Sequence, residues 1–185
     1  GILSGKYNPS GKLAVTFPYS TGQIPIYYNH RNSGRTGAQG EYQDIQSTPM
    51  FEFGYGLSYT DFHYGPLTAT LPGGRTASGT EDDAIEISSG QKFTAQITVT
   101  NTGDKDGKET VQWYICDPYC TITRPVKELK HFEKHMIKAG ESRTFTFEIE
   151  PLRDLGFVNE DGERFLEKGD YYIMVQNQRI KIRII

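Results

Sequence analysis

The sequence predicts an all-β protein in which residues 61–185 fold as one antiparallel sandwich. Three observations carry this. Five segments alternate apolar and polar side chains with a period of two, the mark of a half-buried strand. Turn signals rich in Gly, Asn and Asp fall between them. Most intervals contain nothing at helical spacing, so strands connect without crossover helices, as in immunoglobulin-like sandwiches.

The N-terminal part stands outside that pattern. Residues 1–60 are turn-rich and irregular. Asn8-Pro9-Ser10-Gly11 is a turn signal, and Leu13-Ala14-Val15-Thr16-Phe17 is a short apolar run closed by Pro18. Ile24-Pro25-Ile26-Tyr27-Tyr28 is a second strand-like run, whose Pro25 suits a sheet edge or an extended strap. Residues 29–48 are dominated by Asn, Arg, Gly, Ser and Gln, and loops beyond about 12–15 residues are usually functional or disordered. Nothing here can close a core, so the segment is expected to be the edge of another domain. The chain opens Gly1-Ile2-Leu3-Ser4-Gly5, without Met or a signal peptide. It is therefore expected to be a piece cut from a longer protein.

From Phe62 the alternation is clean. Phe93, Ala95, Ile97 and Val99 oppose Thr94, Gln96, Thr98 and Thr100. Val111, Trp113 and Ile115 follow, then Phe145, Phe147 and Ile149, then Tyr171, Ile173 and Val175. Last, Ile180, Ile182 and Ile184 oppose Arg179, Lys181 and Arg183. The expected core holds Phe93, Ile97, Val99, Val111, Trp113, Phe145, Phe147, Ile149, Ile173 and Val175, because one face of each strand must be buried. Asn101-Thr102-Gly103-Asp104, Asp106-Gly107, Ala139-Gly140 and Gly169-Asp170 supply turns, and Asp161-Gly162 predicts a hairpin. Residues 125–138 are ambiguous. Val126, Leu129, Phe132 and Met136 fall at helical spacing, with Pro125 placed as a first helical residue and Gly140 as a stop. Pattern alone leaves helix and strand open.

Composition bounds the function. Hydrophobic residues at 36% and charged residues at 23% allow a packed core, and 12 Tyr, 10 Phe and 20 Gly suit short strands joined by tight turns. A net charge of -3 gives no field to attract a phosphate backbone, so nucleic acid is not an expected partner. No apolar run approaches the roughly 20 residues of a membrane helix, so no membrane contact is expected.

Cys116, Cys120, His131 and His135 have nearly zinc-finger spacing. On a strand, however, the two His stand about 13 Å apart, too far for one ion. No metal site and no cofactor are expected, and both His read as surface residues. Cys116 and Cys120 flank Asp117-Pro118-Tyr119 and are either a disulfide or two free thiols. Glu160, Asp161 and Glu163 crowd one hairpin tip and read as solvated acids. Asp104, Asp106 and Gly107 echo the start of a calcium loop but lack its later ligands, and read as a turn. The remaining candidates are Asn29, His30, Arg31 and Arg35. Planar polar groups and two guanidinium groups can hydrogen-bond a sugar or brace a neighbouring domain, against the plain alternative of a solvated loop.

Four stretches, in order, resemble the C-terminal region of family 3 glycoside hydrolases. Asn8-Pro9-Ser10-Gly11-Lys12-Leu13-Ala14-Val15-Thr16-Phe17-Pro18 resembles the end of that family's α/β-sandwich domain. Gly22-Gln23-Ile24-Pro25-Ile26-Tyr27-Tyr28-Asn29-His30, followed by Gly34-Arg35, is similar to its bacterial β-glucosidase and β-xylosidase branch. Phe51-Glu52-Phe53-Gly54-Tyr55-Gly56-Leu57-Ser58-Tyr59-Thr60 resembles the junction into the last domain. Arg124-Pro125-Val126-Lys127-Glu128-Leu129-Lys130 with Phe132-Glu133-Lys134 is similar to a stretch of its fibronectin type III-like domain, which decides residues 125–138 for strand.

The resemblance implies residues 1–60 as the tail of an α/β-sandwich domain plus linker, and 61–185 as a fibronectin type III-like β-sandwich. The parent it implies is a retaining, exo-acting β-glucosidase or β-xylosidase, periplasmic or extracellular. Retention needs two carboxyl groups about 5–5.5 Å apart. In the family these lie in the upstream barrel and α/β domains, so no catalytic residue falls on this chain, which alone is expected to be inactive. Its expected partners are those upstream domains of the same polypeptide and, through the parent, a β-linked sugar. The Cys116/Cys120 pair departs from the family's pattern. The alternative is a stand-alone carbohydrate-binding or adhesion sandwich, which calls for an exposed aromatic platform and a complete N-terminal boundary.

Overall fold

The computed structural model describes residues 1–32, 48–80 and 82–185. Among these the strands are β1 (Phe62–Tyr64), β2 (Thr68–Thr70), β3 (Thr76–Ala77), β4 (Ile85–Ile87), β5 (Phe93–Asn101) and β6 (Gly107–Cys116). They continue as β7 (Glu128–Ile137), β8 (Ser142–Ile149), β9 (Phe157–Val158), β10 (Arg164–Phe165), β11 (Gly169–Val175) and β12 (Gln178–Ile184). A one-turn helix, α1 (Pro151–Asp154), follows β8.

Two sheets face each other. In the first, β8 lines one edge of β5 from Phe93 opposite Ile149 to Thr100 opposite Ser142, while β1 and β2 share the other edge and β3 extends β2. The second has the order β4-β12-β11-β6-β7. β9 and β10 form the small hairpin expected at Asp161-Gly162, where Gly162 takes φ +81°. One pairing departs from the antiparallel expectation: β4 runs parallel to β12, with Ile85 opposite Ile182. The chain crosses from one sheet to the other between β3 and β4, so β4 enters beside β12 with no hairpin to reverse its direction.

The period-two residues meet between the sheets. Every expected core residue is at most 5% exposed, and Ile115, Tyr171, Ile180, Ile182 and Ile184 join them. Trp113 and Phe147 pack with ring centroids 6.1 Å apart, joining β6 to β8 across the core.

Residues 128–137 are strand, paired antiparallel with β6 and shifted in register between Trp113 and Tyr114. The helical spacing misleads because β7 is an edge strand that carries Phe132 and Met136 on the outer face and only Ile137, at its end, in the core. Phe132 and Met136 point outward, 62% and 49% exposed. The inward positions carry His131, Glu133 and His135, which close the open side of the sandwich. His131 stacks on Phe147 at 5.1 Å and His135 leans on Phe145 at 5.6 Å. The two His are therefore half-covered inner-face residues and not simple surface side chains. Between them Glu133 accepts a hydrogen bond from the Thr146 backbone N–H of β8 at 3.3 Å, which satisfies part of an otherwise open sheet edge.

The described residues before Phe62 form no sheet of their own. Leu13–Phe17 and Ile24–Tyr28 are irregular, and Phe17 makes one bridge to Phe51. The segment lies as a strap across the outer face of β6 and β7. Tyr28 stacks on Phe53 at 4.3 Å, meets Tyr114 edge-on at 6.1 Å, and its hydroxyl accepts the Leu129 N–H at 3.3 Å. Tyr114 is buried beneath it, and that burial, with the charges of Tyr28 and Glu52, pushes its phenol up to about 12. Two glycines allow the close approach. Gly54 takes φ +84°, and a Cβ on Gly56 would run into the carbonyl oxygen of Gly11.

Candidate functional site

The strap delivers the start of the polar loop to the rim of a cleft of about 950 Å³ at the β6–β7 end of the sandwich. Arg31 bridges Pro125 in antiparallel fashion, and the carbonyl of His30 accepts the Val126 N–H at 2.9 Å. These contacts fix Asn29, His30 and Arg31 beside the Arg124-Pro125-Val126 stretch, with their side chains exposed. Asn32 lines the cleft itself. Arg35, the fourth candidate, lies outside the described residues.

The cleft floor is built on Arg124. β6 ends at Cys116 and β7 begins at Glu128, and the connection folds back so that Arg124 is buried between Asp117 and Glu128. Its guanidinium donates to Asp117 Oδ2 at 3.1 Å, to Glu128 Oε1 at 2.9 Å and to the Leu155 carbonyl at 2.6 Å. It also lies 5.5 Å from the centre of the Phe157 ring. Burial pushes the Asp117 carboxyl above its usual range although Arg124 opposes it. Desolvation of Asp117 thus outweighs the attraction. At Glu128 burial also raises the pKa, but hydrogen bonds from Lys130 and Arg124 outweigh it and the carboxyl stays below its usual range. The wall opposite holds Glu167, whose carboxylate accepts both the Thr121 N–H, at 3.1 Å, and the Thr121 hydroxyl.

Every one of these carboxylates is committed to a neighbouring donor. Asp117, Glu128 and Glu167 clamp the loop they belong to, and the arrangement suits a brace for a domain edge rather than proton transfer to a substrate. The Asp117–Arg124 clamp was not read from the sequence as a charge pair. Its signal was present, since Arg124-Pro125 stands in a recognisable stretch, but the Leu155 carbonyl that completes the site comes from a distant turn.

The other constellations separate. Cys116 and Cys120 line the cleft and are free thiols. His131 and His135 instead bracket Glu133 on β7, with Nε2 atoms 3.5 and 3.2 Å from its two carboxylate oxygens. Among the described residues no group of three or more His, Cys, Asp or Glu is placed to hold a metal ion. At the β9–β10 tip the Asn159 side chain accepts the N–H groups of Asp161 and Glu163, and the acids there point to solvent.

Comparison with known proteins places both halves of the chain. The family described as glycosyl hydrolase family 3 C-terminal domain matches residues 1–59, and the fibronectin type III-like domain matches residues 109–179. A periplasmic β-glucosidase of Salmonella typhimurium is 38% identical over 97% of this chain, which fills 23% of that relative. A β-xylosidase of Formosa agariphila is 36% identical over 94% of the chain and 22% of its own length. Among solved structures, a β-glucosidase from Listeria innocua in complex with isofagomine superposes with a TM-score of 0.84 at 37% identity, covering 99% of this chain and 25% of that one. The chain thus spans about a quarter of the length of the relatives it matches.

Proposed function

Because this chain belongs to the C-terminal region of family 3 glycoside hydrolases, we propose that it is the accessory, structural end of a retaining, exo-acting β-glucosidase or β-xylosidase. The observation that carries the reading is one of coverage. Relatives named β-glucosidase and β-xylosidase match nearly all of this chain, yet three quarters of each lies outside the match. Both carboxyl groups of the retaining mechanism belong to that upstream part, so the chain by itself does not turn over glycosides.

The strap supports this reading. It covers β6 and β7 with one side and leaves Leu3, Val15, Ile24, Tyr27 and Leu57 more than 60% exposed on the other. A monomer seldom shows so much apolar surface in one segment, and the upstream domains of the same polypeptide are its natural cover. Residues 1–60 are then the tail and linker of the preceding α/β domain, and 61–185 the fibronectin type III-like domain. Asn29, His30 and Arg31 face that domain or the sugar pocket it holds, and Arg35 is assigned the same role from its place in the sequence. The periplasmic relative supports a periplasmic or extracellular location. The stand-alone binding module is disfavoured, because most of the exposed aromatic residues, Tyr119 and Phe132 excepted, lie along a strap that matches part of another domain.

The test is deletion. Removing this region from the full-length protein should abolish turnover of aryl β-glycosides and yield an aggregating remainder, as expected for a structural end. A remainder that stays monomeric and fully active would show that the region is dispensable.

A further inference from the structure

The cleft holds one pair of reactive groups that the glycosidase reading does not use. Cys116 and Cys120 are the chain's two cysteines. Cys116 closes β6; the chain then bends at Pro118 and Tyr119 and turns Cys120 back, so that its Sγ contacts the Asp117 carbonyl oxygen at 3.9 Å. Both side chains line the same cleft and both are partly exposed, so a small reagent entering the cleft reaches both.

We propose that Cys116 and Cys120 form a redox-modification site, which a low-molecular-weight disulfide converts to an intramolecular disulfide bond. The steps balance. The thiolate of Cys120, the less buried of the two, attacks the reagent disulfide and expels one reagent thiol. The thiolate of Cys116 then attacks the Cys120 sulfur and expels the second. The pair loses two protons and two electrons, and the reagent disulfide is reduced to two thiols.

Burial, then Asp117, holds the Cys116 thiol above its usual range, whereas Arg179 and Arg124 act in the opposite sense. Burial also raises Cys120, but a backbone hydrogen bond from Arg124 favours its thiolate. Cys120, the more accessible of the two, opens the exchange and Cys116 resolves it. The new bond closes a five-residue ring around Asp117, next to the Asp117–Arg124 pair, and stiffens the connection to which Arg31 is bridged through Pro125.

The experiment is incubation of this chain, folded and reduced, with oxidised glutathione, followed by intact mass and free-thiol count. The expected result is loss of both thiols, a mass lower by two hydrogens, and reversal by dithiothreitol. Cys116→Ser should instead retain one glutathione on Cys120. The proposal is overturned if the unsubstituted chain keeps stable glutathione adducts, or if its thiols react only after unfolding in urea.

Discussion

Lys12 Nζ lies 3.0 Å from Glu109 Oε1, and the two side chains are only 17% and 5% exposed. Glu109 points into the end of the sandwich, where its Oε1 also accepts the Tyr64 hydroxyl at 2.9 Å. Lys12 comes from the strap. One buried ion pair therefore joins the two parts that match different families, with Lys134 donating to the Ser10 carbonyl at 2.7 Å nearby.

Lys12→Met leaves Glu109 buried without its cation and should cost about 3 kcal/mol in a urea titration. The double substitution with Glu109→Gln should recover much of that loss. A single substitution costing under about 1 kcal/mol would mean that the strap is not docked as described.

Phe147→Ala should cost roughly 3–5 kcal/mol, since the ring is 5% exposed and touches both Trp113 and His131. A loss below about 1 kcal/mol would mean that the ring faces solvent and the inter-sheet packing is wrong.

Asp170 accepts Arg183 at 2.6 and 3.0 Å and Lys181 at 2.9 Å. The Arg183 hydrogen bond is the main cause that holds its carboxyl at about 2. A lowered carboxyl pKa stabilises the fold fully above the unfolded value of about 4 and ceases to do so as pH falls through about 2. The site is near the surface, so Asp170→Asn should cost only about 0.5–1 kcal/mol at pH 7. That difference should fade between pH 4 and pH 2; a constant difference across the range would rule out the ion pair.

In the full-length parent, His30→Ala or Arg35→Ala should lower kcat/KM roughly ten- to a hundred-fold, the value of a charged hydrogen bond, and leave the melting temperature unchanged. Unchanged kinetics with faster proteolysis at the strap would make this loop a brace only.

What could be read in advance follows from periodicity. β5, β8 and β12 have buried inner faces and polar outer faces, and β6 and β11 keep the inner alternation although Tyr114 and Met174 stand on their outer faces, so their core residues stand out in the sequence. β7 does not, because Phe132 and Met136 are outward while His131, Glu133 and His135 fill the inner side. Outer-face burial of Tyr114 depends on Tyr28, which lies far away in sequence, and the parallel pairing of Ile85 with Ile182 leaves no local trace. Of the candidate site, the polar stem was legible by composition. Its attachment to Pro125 and Val126, and the clamp of Asp117 and Glu128 on Arg124, were not, because they depend on tertiary contacts.

As proposed above, this chain is the non-catalytic end of a retaining β-glycosidase. Assaying the purified chain and its full-length parent side by side on aryl β-glucosides and β-xylosides tests it most directly. The parent should release sugar with retention of the anomeric configuration, and the chain alone should show no turnover. Activity of the chain that survives repurification and disappears on substituting one of its own Asp or Glu residues would contradict the account.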